Sequence, residues 1–102
     1  MSGAGATGRL AIEGEMTIYR AAELKDVLLT ALRAPRPLEI DLAEVTDIDS
    51  AGVQLLMMAK QAARAQGTEL RLVRHSPAVL DVFELLDLAG HFGDPLLEGA
   101  LR

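Results

Sequence analysis

Asp47-Ile48-Asp49-Ser50-Ala51-Gly52 sets a single hydroxyl between carboxylates and closes on a glycine. A serine in that company can cap a helix, act as a nucleophile or accept a phosphoryl group. The flanking residues narrow the choice. Upstream, Leu38-Glu39-Ile40-Asp41-Leu42 alternates apolar and acidic residues with the period of a half-buried strand. Downstream, Gly52, Leu55, Leu56, Ala59, Ala62 and Ala63 recur at helical spacing. Ser50 is therefore expected at a helix N-cap, exposed at the positive end of the helix dipole. Such a cap is worth about 1 kcal/mol over alanine and by itself requires no further role. Asp47 and Asp49 also offer capping oxygens, which leaves the hydroxyl spare.

A phosphoryl group on Ser50 would add about −1.5 to −2 charges and three acceptor oxygens. The dipole at the helix start returns about 0.3–1 kcal/mol, similar in size to the screened repulsion from the two aspartates, so the fold should hardly register the change. A partner pressed over the site would register it. Unit charges about 6 Å apart at an effective dielectric of about 20 interact by roughly 3 kcal/mol, or about two decades in affinity.

Catalytic readings are weaker. Ser50 is not in a Gly-x-Ser-x-Gly elbow, and the histidines are His75 and His91. His75 ends a strand pattern, so a Ser50–His75 pair across the strand ends is conceivable, but both histidines read as surface or loop residues. They lack the i, i+4 spacing of a metal site, no Gly-x-x-x-x-Gly-Lys occurs, and Gly3-Ala4-Gly5 follows no strand. Asp41, Asp47 and Asp49 could hold Mg²⁺ with a phosphate, although carboxylates in a turn more commonly cap backbone amides. The expectation is a protein that enzymes act upon, not an enzyme, with no cofactor and no metal.

The elements that must hold this site follow from the rest of the chain. Its 102 residues fit one domain, half of them hydrophobic and 3% aromatic, so the core must be aliphatic. A net charge of −5 with scattered basic residues argues against nucleic acid. The absence of cysteine fits a reducing cytoplasm. No apolar run approaches the roughly 18 residues of a membrane helix, so no membrane insertion is expected. Residues 1–8 read as a flexible tail without a signal-peptide pattern, ahead of a domain over 9–102. The patterning predicts a strand over Arg9–Glu13, a turn at Gly14 and a short strand around Met16-Thr17-Ile18. A helix follows from about Arg20 to Arg33, ended by Pro35 and Pro37. Then come the strand Leu38–Leu42, a helix from about Ser50 to Gln66 stopped by Gly67, and a strand over Glu69–Arg74. Ser76 should cap the next helix, with Pro77 at its first position and Gly90 past its end. The patterning places a last short helix over Pro95–Leu101. Because the strands alternate instead of running continuously apolar, helices should cover mainly one sheet face. Right-handed crossovers then wind the chain as a β-α superhelix.

The segment Leu38–Ala63 resembles the signature region of STAS domains of the anti-sigma-factor-antagonist type: a strand ending in Asp-Leu (Asp41-Leu42), a turn, then Asp-Ser-Ser/Thr/Ala-Gly (Asp49-Ser50-Ala51-Gly52) and a helix. Ile12-Glu13-Gly14-Glu15 is similar to the family's first-strand turn, Ala21-Ala22-Glu23-Leu24-Lys25 to its first helix, and Ser76-Pro77-Ala78-Val79 with Phe83 and Leu86 to its late helix. Ala51 departs from members that carry a second hydroxyl there. The resemblance implies an α/β fold: one small domain, its four- to five-stranded, mostly parallel sheet bearing helices mainly on one face. It also implies that Ser50 is a phosphoacceptor, with Asp47, Asp49, Ala51 and Gly52 as its switch-site neighbours. The implied partner is an anti-sigma factor, a serine kinase with a histidine-kinase-like ATPase fold, with a serine phosphatase restoring the free form. Related roles are docking on a histidine kinase of a chemosensory or two-component system, to which the loop His91-Phe92-Gly93-Asp94-Pro95 is similar, or on the ATPase of a phospholipid ABC transporter. Val53, Gln54, Met57 and Gln61 are candidates for partner contact. For Val53 and Met57 the alternative is that they simply widen the buried stripe of the helix.

Overall fold

The computed structural model describes residues 7–34 and 36–86. The expected helix over Pro95–Leu101, the stop at Gly90, the His91–Pro95 loop and Pro35 lie outside the described residues. Alternation fixes the sheet. In β1 (Gly8–Met16) Ile12 and Met16 are buried while Arg9, Ala11, Glu13 and Glu15 are exposed. In β2 (Leu38–Ile48) Leu38, Ile40 and Leu42 point into the core, and in β3 (Leu70–Val73) Leu70 and Leu72 do. The strands pair in parallel in the order β1-β2-β3, with β2 central.

Two sequence expectations are corrected here. The two N-terminal strands are one: Gly14 adopts a left-handed φ of 82° and shifts the register against β2 without reversing the chain. The described residues thus form three strands of the parallel sheet. Gly8, expected in the leading tail, is already in β1; its N–H donates to the Pro37 carbonyl at 2.7 Å and it lies opposite Leu38.

Helix α1 (Ala21–Ala31), entered through a 3-10 turn at Ile18–Arg20, buries Leu24 and Leu28. It ends before the prolines. Helix α2 (Ser50–Ala65) buries Val53, Leu55, Leu56, Ala59 and Ala63 along one stripe. Gly67, at φ 74°, stops it: its N–H donates to Arg64 O and the Thr68 N–H to Ala63 O, both at 3.0 Å, a Schellman closure. Helix α3 (Pro77–Leu85) begins as the sequence predicts, with Pro77 in its first turn and Ser76 Oγ accepting the Val79 N–H at 3.3 Å. It adds Val79 and Phe83 to the same aliphatic core.

The opposite sheet face is polar. Asp41 Oδ2 accepts from Arg9 at 3.1 Å and from Arg74 at 3.3 Å, and its Oδ1 accepts the Ala43 N–H at 2.9 Å. The Ala43 N–H and the two guanidinium groups hold this carboxyl below the usual aspartate range despite its burial. Among the described residues, no helix is long and apolar enough to cross a membrane.

Candidate functional site

Strands β1 and β2 finish side by side, Met16 opposite Ile48, and hand the chain to the 3-10 turn and to α2. Asp49 joins the two exits. One carboxylate oxygen accepts the Gly52 N–H at 3.1 Å, capping α2, and the other accepts the Ile18 N–H at 3.1 Å. The Ile18 and Gly52 N–H groups hold the Asp49 carboxyl below its ordinary range, because both bonds are stronger to its anion than to the neutral acid. The Asp49 N–H itself donates to Met16 O at 3.3 Å.

The cap is therefore Asp49, not Ser50. Ser50 is the first helical residue and is exposed, which leaves its hydroxyl reachable from solvent. Asp47 is exposed on the polar side of β2, and Ala51 is half-buried. Gly52 is buried where α2 crosses β1, and a Cβ there would stand 2.2 Å from Met16 O. That close approach explains the glycine independently of any ligand.

The candidate contact residues separate. Val53 is 5% exposed and belongs to the core, so it cannot anchor a partner; the α2 stripe is wide enough to include it. Met57 is half-buried and packs on that core. Gln54 and Gln61 are exposed. Lys60 donates to Leu70 O at 2.6 Å and ties α2 to β3. His75 lies in the loop between β3 and α3, as one of the two expectations had it, but it is 2% exposed, its ring edge-on to Phe83 with centroids 5.6 Å apart, so it is not a surface residue. It borders a separate depression with Ala43, Arg74, Ser76 and Pro77, away from Ser50. No group of metal-ligating side chains is assembled among the described residues. Helical spacing did not expose the part played by the 3-10 turn: Ile18 and Tyr19 stand out of the surface beside Asp49. Their signal in the sequence was an apolar pair directly after a strand, which reads as more strand.

Residues 1–98 match the family model described as Mlab, STAS domain. The chain belongs to the STAS domain family. Its fold is shared with an assigned anti-sigma factor antagonist from Thermotoga maritima: TM-score 0.72 at 21% identity, over 82% of this chain and 74% of that one. The anti-sigma factor antagonist SpoIIAA, solved in its unphosphorylated form, gives a TM-score of 0.68 at 22% identity, over 84% and 76% of the two chains. At these identities the likeness concerns the fold.

The structure assigns Asp49 in this STAS domain a double tether, which carries a prediction. Asp49→Ala should free both the Ile18 and Gly52 amides, so hydrogen exchange at these two positions should accelerate together while the exchange of β2 amides changes less. Asp49→Asn should retain part of the protection, since an amide oxygen still caps. Acceleration at Gly52 alone would show that the turn is held by something else.

Proposed function

We propose that this STAS domain is a binding switch of the anti-sigma-factor-antagonist kind, its unmodified form capturing a serine kinase with a histidine-kinase-like ATPase fold and its Ser50-phosphorylated form releasing it. A serine phosphatase would restore capture, and the cycle would run in the cytoplasm. The observation that carries the reading is the division of labour at α2: Asp49 does the capping, so the exposed Ser50 hydroxyl can be modified without dismantling the helix start. The likeness to a relative solved in its unphosphorylated form supports the same direction. A phosphate there remains hydrated in the free protein. Under a docked apolar surface it must be dried, and burying an ion costs several kcal/mol, about two decades or more in affinity.

The test has two steps. Labelled ATP with lysate of the source cells should transfer phosphate to the purified chain, mass spectrometry should place it on Ser50, and Ser50→Ala should remain unlabelled. The kinase so recovered should bind Ser50→Asp about 100-fold more weakly than Ser50→Ala. Equal binding by the two variants would overturn the switch. A second reading rests on Asp49 and Gly52, whose roles in the fold need no phosphate. There the domain is a constitutive clamp on a histidine kinase or a transporter ATPase, and Ser50→Asp and Ser50→Ala bind alike.

A further inference from the structure

Strand β2 occupies one side of β1, and the phase of the backbone shows which groups look the other way. The Gly8 N–H donates to Pro37 O, toward β2, so the N–H and C=O of the alternating residues Arg9 and Ala11 point out of the sheet. Further along, the Arg20 guanidinium reaches the outward carbonyls of Glu13 at 2.6 Å and Glu15 at 2.8 Å, in the same phase. Arg20 thus closes the end of this edge. Ahead of it, the outward groups of Arg9 and Ala11 meet no hydrogen-bond partner among the described residues. An unpaired strand edge is a template for another strand.

Charge selects which strand. Along its exposed side β1 reads Arg9, Ala11, Glu13. Glu13 stands opposite Glu44 of β2, an unfavourable like-charge pair, and Arg20 binds its carbonyl, not its carboxylate. Turned end for end about Ala11, the same strand offers Arg9 to Glu13 and Glu13 to Arg9. A parallel mate in register would set like beside like. The helical layer repeats the pattern. Two depressions follow the β1 edge against α1 and share Val27, which is 38% exposed. One, of about 400 Å³, has Leu10 and Asp26 in its wall; the other, of about 320 Å³, has Ile12 and Arg20. The same rotation sets Leu10 beside Ile12 and brings Asp26 toward Arg20.

We propose that this domain forms a two-fold dimer in which β1 pairs antiparallel with β1 of a second copy, centred on Ala11, so that two sheets become one. Ala11 exchanges both backbone bonds with Ala11 of the second copy. Arg9 and Glu13 exchange theirs crosswise, the Glu13 carbonyl using its second lone pair beside Arg20. The Arg9 side chain pairs with Glu39 and Asp41 in its own copy, yet is 52% exposed and has donors left for Glu13 of the second copy. Leu10 and Ile12 form the closely spaced pairs between the bonded ones, and the two Val27 side chains close the seam. The contact is isologous, so assembly stops at two. It does not depend on the switch reading: it uses the start of β1, whereas Asp49 is tied to Met16 at its end.

Sedimentation equilibrium of the full chain from micromolar to millimolar concentration should show monomer and dimer in exchange. Hydrogen exchange at the Arg9 and Ala11 amides should slow as the dimer fills. Ala11→Pro removes the central outward donor; that N–H is unbonded within one copy, so proline fits this edge and the melting curve should be retained. Glu13→Arg changes only an exposed side chain and sets cation against cation. Each variant should weaken the dimer at least about tenfold. The chain has no cysteine, so Ala11→Cys introduces a single thiol. Hydrogen-bonded partners in an antiparallel pair have Cα atoms about 5.5 Å apart, within disulfide reach, and mild oxidation should yield a covalent dimer. A chain that stays monomeric throughout, or a dimer that either variant leaves intact, would overturn the proposal. So would a dimer whose Ala11→Cys form does not cross-link, since the contact would then lie elsewhere.

Discussion

Gly52→Ala should lower the melting temperature of this STAS domain by roughly 10–20 °C, corresponding to about 3 kcal/mol for a chain of this size. In an exposed helix the same change would stabilise by about 1 kcal/mol, through helix propensity. Here the sign reverses because the new Cβ would stand 2.2 Å from Met16 O, 2.8 Å from Ile48 Cγ1 and 3.0 Å from Met16 Cβ. The nearest of these is main chain. Met16 O accepts the Asp49 N–H, so it cannot move aside without loosening the tie between β1 and the start of α2. Overpacking of a tight core costs about 1–3 kcal/mol, and a backbone clash belongs at the top of that range. Thermal melts followed by circular dichroism, paired with urea titration, measure the loss. Gly67 is the control: its φ of 74° would strain an alanine, but nothing lies within 4 Å of the added carbon, so about 1–2 kcal/mol is expected. A Gly52→Ala protein melting with the parent would show that α2 does not approach β1 so closely.

Asp41→Ala should cost about 2–3 kcal/mol, since three charge-assisted bonds to one carboxylate are lost, two of them to exposed guanidinium groups whose share water screens. The Ala43 N–H loses its acceptor, and Arg9 and Arg74 lose the anion between them. The pH dependence has a definite sign. The folded carboxyl titrates below the ordinary aspartate value, held there first by the Ala43 N–H and then by Arg9 and Arg74. Its contribution is complete above the unfolded value of about 3.9 and is lost as pH falls through the lower folded value. Asp49 acts in the same direction in the same window. Urea midpoints from neutral pH down to about pH 3 should therefore fall steeply for the parent and less steeply for Asp41→Asn, the difference isolating Asp41. Parallel curves would show that its ion pairs add nothing to the fold.

Much of this architecture could be read from residue order. Leu38-Glu39-Ile40-Asp41-Leu42 announced a strand with one wet face, and Ser76-Pro77 marked a helix start to the residue, because period and capping chemistry act locally. Gly14 is ambiguous in residue order because a glycine with positive φ serves a reversal and a bulge equally well, and only the register against β2 distinguishes them. Ser50 was placed one position early: aspartate and serine cap equally well, and the choice was made by the Ile18 amide, contributed by a turn 31 residues away in sequence. Val53 was ambiguous because a helix lying over a sheet can bury more than a narrow stripe, and the width depends on how closely Gly52 lets it approach. The apolar pair Ile18–Tyr19 continued the pattern of β1, and its release from the core follows from the 3-10 turn that Asp49 and Arg20 secure.

The left-to-right sequence of the sheet is also the sequence of synthesis. As the nascent chain leaves the ribosome, β1 and α1 are out before their neighbour β2, and β3 joins an edge that is already formed. Among the described strands none has to be threaded between two earlier ones, so each of these units meets its surface in final position. A domain built in this way can begin closing its first pair while translation continues.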